Sequence, residues 1–400
     1  MAALRQTDVI RAAISGLIPQ DPMMHVLLIL LLAVLLLFLL LLPVMIHDGT
    51  RFVTREYTVL SDKVRGSHTL VFLTDLHGKI YGGDDAAVLR AIRDAHPELA
   101  VAGGDLVTAS EADPGRKEWY RGAAMLLRPL AGKLPVYFCL GNHERKIADP
   151  EEGKEICWEE YCRFLEHLGI RIRRNDHTSL EEAEGKNPAF CADSGIDLWS
   201  FEAGREEFQR CRKHRITRED AAERLGNPDP DRFHVVVTHH PAHFDACAAW
   251  GADLCLCGHI HGGVMRLPGI GGVISPDFVL FPKYSGGRYE IHFDRNGRQV
   301  WSSGRVYSPQ KTPPVPEGGR RSVMILGCGL GFHTIPIRIF NPAELSVIHI
   351  EGTARENGRK RVSGHFSCGY RDSAAGGADG TNSGKGGGVR GSHGPSPSSD

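Results

Sequence analysis

The chain has 400 residues and a mass of 43.9 kDa, which at about 150 residues per domain allows two or three domains. Its 47 Lys and Arg against 48 Asp and Glu leave a formal charge of −1, which excludes a general polyanion binder, because phosphate-backbone affinity rests on a surplus of basic side chains. Hydrophobic residues at 42% exclude a wholly disordered chain, and ten Cys without a C-x-x-C pair are too dilute for a disulfide scaffold.

Along the chain, residues 1–25 form an N-terminal segment in which Ile10, Ile14 and Ile18 fall at helical spacing. From Val26 to Leu42 there is no polar residue, and the apolar run continues through Pro43 to Ile46. As a helix it measures about 31 Å, enough to cross the hydrocarbon core, so residues 26–46 are predicted to be a transmembrane helix in contact with a lipid bilayer. The run is too long for a cleaved signal peptide, and no small-x-small site comes after it. This predicts a single-pass protein of the cell membrane. Arg51, Arg55, Lys63 and Arg65 outnumber Arg5, Arg11 and the amino terminus, which favours a cytoplasmic main domain. The scattered cysteines point the same way.

At the other end, residues 355–400 are Gly- and Ser-rich with almost nothing to bury, and are expected to be disordered. What remains is one domain over 52–352 rather than two or three. Predicted strands are Thr69–Thr74, Leu99–Gly103, Val136–Leu140, His234–Thr238 and Asp253–Cys257, then Arg288–Phe293, Gln299–Ser302, Ser322–Leu326 and Ser346–Ile350. Helices are expected around Val88, Leu89, Ile92 and Ala95, ending before Pro97, and over Glu155–Leu168 and Arg218–Leu225. The pattern predicts an α/β core around mixed sheets.

The chemistry is concentrated just beyond the ends of the first five strands. After the first comes Asp75-Leu-His77-Gly78, after the second Gly104-Asp105, and after the third Gly141-Asn142-His143-Glu144. The fourth leads into His239-His240-Pro241 and the fifth into Gly258-His259-Ile-His261. Each alone is more often a turn, a helix cap or a satisfied pair of surface residues. Five at the same kind of place do not, because ligands of open α/β sheets bind beyond the carboxyl ends of strands. Carboxylate, imidazole and amide oxygen without thiolate suit Mn, Fe, Zn or Ni. More than four such ligands with one shareable Asp suggest two divalent metal ions that clamp an oxyanion and generate a bridging hydroxide.

The ordered set D-x-H, G-D, G-N-H-E, H-x-P and G-H-x-H resembles the signature of the calcineurin-like metallophosphoesterases, over about Tyr57 to Ile350. The resemblance implies a four-layer α/β/β/α sandwich of two mixed sheets flanked by helices. Gly258–Pro268 and Cys328–Pro342 are similar to the membrane-associated phosphodiesterase branch, whose members often carry an amino-terminal membrane segment. By motif, Asp75, His77 and His261 would hold one metal, and Asn142, His239 and His259 the second, with Asp105 bridging. His143 would be the catalytic acid or transition-state stabiliser. His240 would be a supporting or substrate contact, and His243 neither. Three positions depart from the family pattern: Thr108 where an acidic residue is common, Val264 where a polar residue usually comes after the glycines, and Ile260 in place of a frequent Thr.

Gly327-Cys-Gly329-Leu-Gly331 imitates a dinucleotide loop, but Pro336 and the β-formers after it do not open a helix. Cys255 and Cys257 share one face of a strand and read as small core residues. The expected activity is hydrolysis of a phosphodiester or pyrophosphate bond in a phosphorylated small-molecule or lipid substrate. The rivals are a non-catalytic metal-binding scaffold on the same fold and a nuclease; the neutral charge and the lack of a basic, aromatic-rich stretch count against nucleic acid as a partner. No protein partner is predicted.

Overall fold

The computed structural model of the protein describes residues 21–180, 194–202, 204, 216–332 and 336–353. The tail expected over 355–400 and most of the N-terminal segment lie outside these residues.

Helix α1 (Pro22–Thr50) contains the span expected over 26–46 and runs four residues past each end of it. Asp21 caps it by accepting from the Met23 amide at 2.8 Å, and Pro22 sits in the first turn, where a missing N–H is harmless. Its 29 residues give about 43 Å of helix. Apolar side chains are exposed on every side of it, the opposite of a helix packed on a soluble core. At the far end Asp48 is buried, its Oδ2 accepting from the Asn341 amide at 2.9 Å. Arg51 alone separates the helix from the first strand.

The chain continues through β1 (Phe52–Ser61), β2 (Ser67–Leu73), α2 (Ala86–Asp94), β3 (Leu99–Ala102), α3 (Arg121–Ala131), β4 (Val136–Cys139), α4 (Asn142–Ile147) and α5 (Glu155–His167). Then come β5 (Arg171–Arg173), β6 (His177–Ser179), β7 (Ile196–Ser200), α6 (Arg218–Leu225), β8 (Phe233–Val237), α7 (Phe244–Trp250) and β9 (Leu254–Cys257). The remainder is β10 (Arg266–Leu267), β11 (Gly271–Gly272), β12 (Gly287–Phe293), β13 (Gln299–Ser302), β14 (Arg320–Leu326) and β15 (Ala343–Gly352). One sheet has the order β1-β15-β2-β3-β4-β5 and the other β13-β12-β14-β9-β8-β7-β6; both are mixed.

Side-chain alternation builds the layers. Leu70, Phe72, Leu99 and Val101 from the first sheet meet Val235, Val237, Leu254 and Leu256 from the second in a shared central core. The alternate residues Val71, Leu73, Ala100 and Ala102 face α2, α3 and α5, and the small alanines let those helices close on the sheet. On the opposite side Val236, Cys255 and Cys257 face α6 and α7, which gives the two cysteines the core role expected of them. The result is an α/β fold with two mixed sheets packed together and helices outside. The central strands β2, β3, β4, β8 and β9 are apolar on both faces, as parallel strands covered on both sides must be.

Elements that the periodicity did not announce are β1, β5 to β7, β10, β11 and the helices α3, α4 and α7. β1 carries Arg55 and Glu56 on a sheet edge, β5 and β6 are three residues long, and α4 and α7 are two turns or fewer. Within β7 the polar Asp197 is buried because Arg232 reaches it at 2.7 Å.

The stretch 327–331 is held by Arg338, which is 2% exposed. Its guanidinium donates to the carbonyls of Cys328, Gly329, Gly331 and Asn341 at 2.8, 3.1, 2.6 and 3.2 Å. A Cβ on Gly331 would overlap the Leu76 carbonyl, so the loop lies directly on the backbone that carries Asp75 and His77. Arg338→Lys replaces a planar fork by a single ammonium that cannot reach all four carbonyls. Its expected cost is about 2–4 kcal/mol, read as a lower thermal unfolding midpoint of the full chain in detergent; an unchanged midpoint would refute the role of Arg338 in holding the loop.

Candidate metal centre

The strand ends converge as their order requires. β2, β3 and β4 are parallel neighbours in one sheet, and β8 and β9 are parallel neighbours in the other. The loop after β2 is pinned to the loop after β3 by Asp75 N to Gly104 O at 3.0 Å and His77 N to Asp105 O at 3.0 Å. Further bonds cross between the sheets at the site. The His259 amide donates to both Asp75 carboxylate oxygens at 2.9 and 3.1 Å, and His239 Nδ1 lies 2.9 Å from the Gly103 carbonyl.

These loops are strained. Asp75, His77, Asp105, His259 and His261 all have positive φ, between 47° and 74°, a region that side chains other than glycine rarely occupy. Gly104, also at positive φ, and Gly258 leave no room for a Cβ: one would overlap the Gly141 backbone and the other Thr74 and Asp75. Glycine there lets the loops touch.

The donor atoms meet in overlapping groups. Asp75, His77 and His261 form one, Asp105, His239 and His259 a second, and His77, Asp105 and His143 a third that joins them. His77 Nε2 and His261 Nε2 lie 3.0 Å apart with stacked rings, and His261 Nε2 is 3.4 Å from Asp75 Oδ1. His239 Nε2 faces Asp105 Oδ2 at 3.1 Å and Asp75 Oδ1 at 3.7 Å. Asn142 Oδ1 lies 2.8 Å from His259 Nδ1.

The residues fit divalent ions. His239 Nε2 is buried and makes no hydrogen bond, while its Nδ1 lies on a backbone carbonyl. That is the arrangement of an imidazole whose Nε2, once it gives up its proton, aims a lone pair at a cation and whose orientation a second contact fixes. Two nitrogens and several carboxylate oxygens pointed at one another are electrostatically sensible only around positive charge. Burial works against a charged His239, yet the Asp105 and Asp75 carboxylates beside it push its pKa up to about 10. The same neighbourhood holds Asp105 well below the usual carboxylate range despite burial, chiefly through His239, whereas burial raises Asp75.

Of the remaining residues expected at the site, His143 stands edge-on to His77 with ring centroids 4.9 Å apart. Its Nδ1 accepts from the Ala109 amide at 2.9 Å, so in the neutral ring the proton sits on Nε2. His240 accepts from the Ala242 amide through Nδ1 and lies 4.3 Å, ring to ring, from His259. His243 is buried at 3.0 Å from Thr238 Oγ1, a packing role. Thr108 places its hydroxyl 3.5 Å from His77 Nδ1, where an acidic residue was the common alternative.

Three contributors were not singled out from sequence. Glu144 is fully buried and accepts from the amides of Asp105, Leu106, Gly141 and Val107 at 2.7, 2.8, 3.1 and 3.3 Å. It thereby locks the loop after β3 onto the start of α4, as the third residue of a capping box does. Its place in G-N-H-E was the signal. Asp277 sets Oδ2 3.0 Å from His259 Nε2, and nothing in the sequence around it pointed to the site. Asn341 donates its side-chain amide to the carbonyls of His261 and Gly263 at 2.7 and 2.6 Å.

The fold and this cluster define a class. The calcineurin-like phosphoesterase family model matches residues 68–263, and the chain carries a domain of that family, as its motifs implied. Among relatives, phosphodiesterase YaeI of Escherichia coli (strain K12) is 26% identical over 214 residues, covering 52% of this chain and 65% of that protein. The chain thus spans just under two thirds of that relative's length. The uncharacterized metallophosphoesterase YkuE of Bacillus subtilis (strain 168) is 24% identical over 317 residues, covering 75% of this chain and 86% of that one. A solved structure of the Haemophilus influenzae NAD nucleotidase aligns at 14% identity and a TM-score of 0.33, over 66% of this chain and 50% of that one.

The geometry sets two expectations. Glu144→Gln turns an –NH2 group toward backbone donors and leaves at least one unsatisfied, at about 2–4 kcal/mol; denaturant unfolding measures it, and a loss below about 1 kcal/mol by that same scale contradicts the capping role. Second, His239 carries a proton at neutral pH, which a bound divalent ion must displace. Metal binding is therefore expected to release a proton and to tighten as pH rises toward 10. Titration calorimetry in buffers of different ionisation enthalpy reads this directly.

Proposed function

We propose that the protein is a membrane-anchored, metal-dependent phosphohydrolase that cleaves phosphodiester or pyrophosphate bonds, with Pro22–Thr50 as its anchor. The observation that carries this reading is the buried His239 Nε2 aimed at two carboxylates within a cluster of five imidazoles, two carboxylates and one amide oxygen. In this reading Asp75, His77 and His261 hold one divalent ion, Asn142, His239 and His259 hold another, and Asp105 reaches both. When bound, such ions supply the positive charge that neutralises phosphoryl oxygens and lower the pKa of coordinated water.

The chain's own residues do the rest. His143 donates from Nε2, because the Ala109 amide occupies Nδ1. A donor at that nitrogen can protonate a departing oxygen or hydrogen-bond the phosphoryl group as its charge builds, and such groups contribute about 100-fold or more to a rate. Asp277 and the Gly103 carbonyl orient the rings of His259 and His239, and Thr108 that of His77. The carboxylates exclude a second anion from the cluster until cations are present. A lipid-borne substrate is favoured by the short path from α1 to the site: Asp48 bonds Asn341, and Asn341 bonds the carbonyl of the ligand residue His261.

The test is hydrolysis of a bis-aryl phosphodiester against an aryl monoester by the full chain in detergent, stripped of metal and reloaded with Mn. Diester turnover that appears only on reloading is expected. No turnover of either substrate with two ions bound per chain leaves the non-catalytic scaffold as the better reading. His143→Ala should keep its metal and lose about 100-fold or more in kcat; a variant that loses metal and regains its rate on reloading would assign His143 to the ligands instead.

A further inference from the structure

Beside the metal centre, residues 278–281 form a short tongue that turns apolar side chains outward. Phe278, Val279, Leu280 and Phe281 are 66, 52, 66 and 41% exposed, and Phe340 is 52% exposed. Isolated exposed apolar residues are ordinary, but a contiguous run on a strained loop is not. Phe278, Phe281 and Phe340 all have positive φ, at 61°, 50° and 51°. For bulky side chains that conformation costs energy; here the Phe278 and Phe340 rings stay exposed, and Phe281 lies 5.5 Å from the Arg305 guanidinium.

The tongue has a defined place relative to α1. Leu280 bridges Ile274, Val273 and Ile274 bond Met265 and Val264, and Met265 bridges Ile339. Three strand spacings at about 4.8 Å put Leu280 about 14 Å from Ile339. Two residues further on, the Asn341 amide donates to Asp48 of α1. Phe340 lies between the two. The inner side of the same tongue bears Asp277 on His259.

We infer that the tongue 278–281, with Phe340, is a wedge that dips into the surface of the bilayer in which α1 is anchored and seats the mouth of the metal centre against the lipid headgroups. The inference rests on reading α1 as the membrane anchor. A bilayer is the occupant because α1 brings one to this place with no linker to spare: Asp48 is already buried in the domain two residues past the last apolar residue, Ile46. An exposed apolar run so close to that junction lies at headgroup depth, where aromatic rings partition well.

The full chain carrying Leu280→Trp, reconstituted into phosphatidylcholine vesicles whose acyl chains are brominated near the headgroup, tests it. The emission added over the native tryptophans should be largely lost relative to unbrominated vesicles. Phe340→Trp provides a second position should Leu280→Trp fold poorly. Added emission that bromine does not quench, whether from a water-exposed ring or one covered by another part of the chain, overturns the wedge. The anchor reading then still stands if alkali leaves the chain in the vesicles. A chain that alkali strips from them overturns both.

Discussion

Two buried carboxylates set the terms for everything around them. Asp75 and Asp105 are 0 and 1% exposed, and each is close enough to affect the other's ionisation. Burying one ionised carboxylate already costs several kcal/mol unless its charge is met. The protein meets part of it with backbone donors, the His259 amide on Asp75 and the His143 amide on Asp105, and part with a protonated His239. Neither suffices for a pair that remains negative overall, and the clustered carboxylates and imidazoles leave a deficit that divalent cations could fill.

That requirement explains why the loops are built as they are. Carboxylates and rings must leave five strand ends and point at a common volume, which ordinary turns do not achieve. In the loops after β2, β3 and β9, five non-glycine residues in the left-handed region accomplish the turn, and the surrounding contacts make the strain tolerable. Glu144 collects four amides under one side of the cluster, and Arg338 collects four carbonyls under the other. These two charged residues of opposite sign brace different loops, Glu144 gathering donors from the loop after β3 and the start of α4, and Arg338 gathering acceptors from 328–331 and Asn341. Neither needs to approach a substrate to matter.

How much of this was legible in the sequence depends on the physical origin of each feature. The central strands β2, β3, β4, β8 and β9 are covered on both faces, so each carries an apolar run, interrupted only by His234 in β8 and preceded by Ser67-His68-Thr69 in β2. The residues after them are unusual enough in type to mark the cluster before any geometry is known. β1, β5 and β6 were silent because edge position or brevity removes the periodic signal, and α4 and α7 are too short to show one. Asp277 was silent for another reason: it reaches His259 from a loop 18 residues away, and only the folded path of that loop brings it there. Arg338 was not singled out because its partners are main-chain carbonyls, which leave no trace in sequence.

The bonds that join the two sheets at the site have a thermodynamic consequence. His259 N to Asp75 and His239 Nδ1 to the Gly103 carbonyl lie at the seam where the two halves of the sandwich meet. An ion bound among these residues would act as a keystone, because unfolding either sheet would release it. Ligand that binds only the native state adds about 2.7 kcal/mol at one hundred times its dissociation constant, and here the gain would fall on both sheets together. Because the sheets already share one core, the ion would add to the cooperativity with which the sandwich opens.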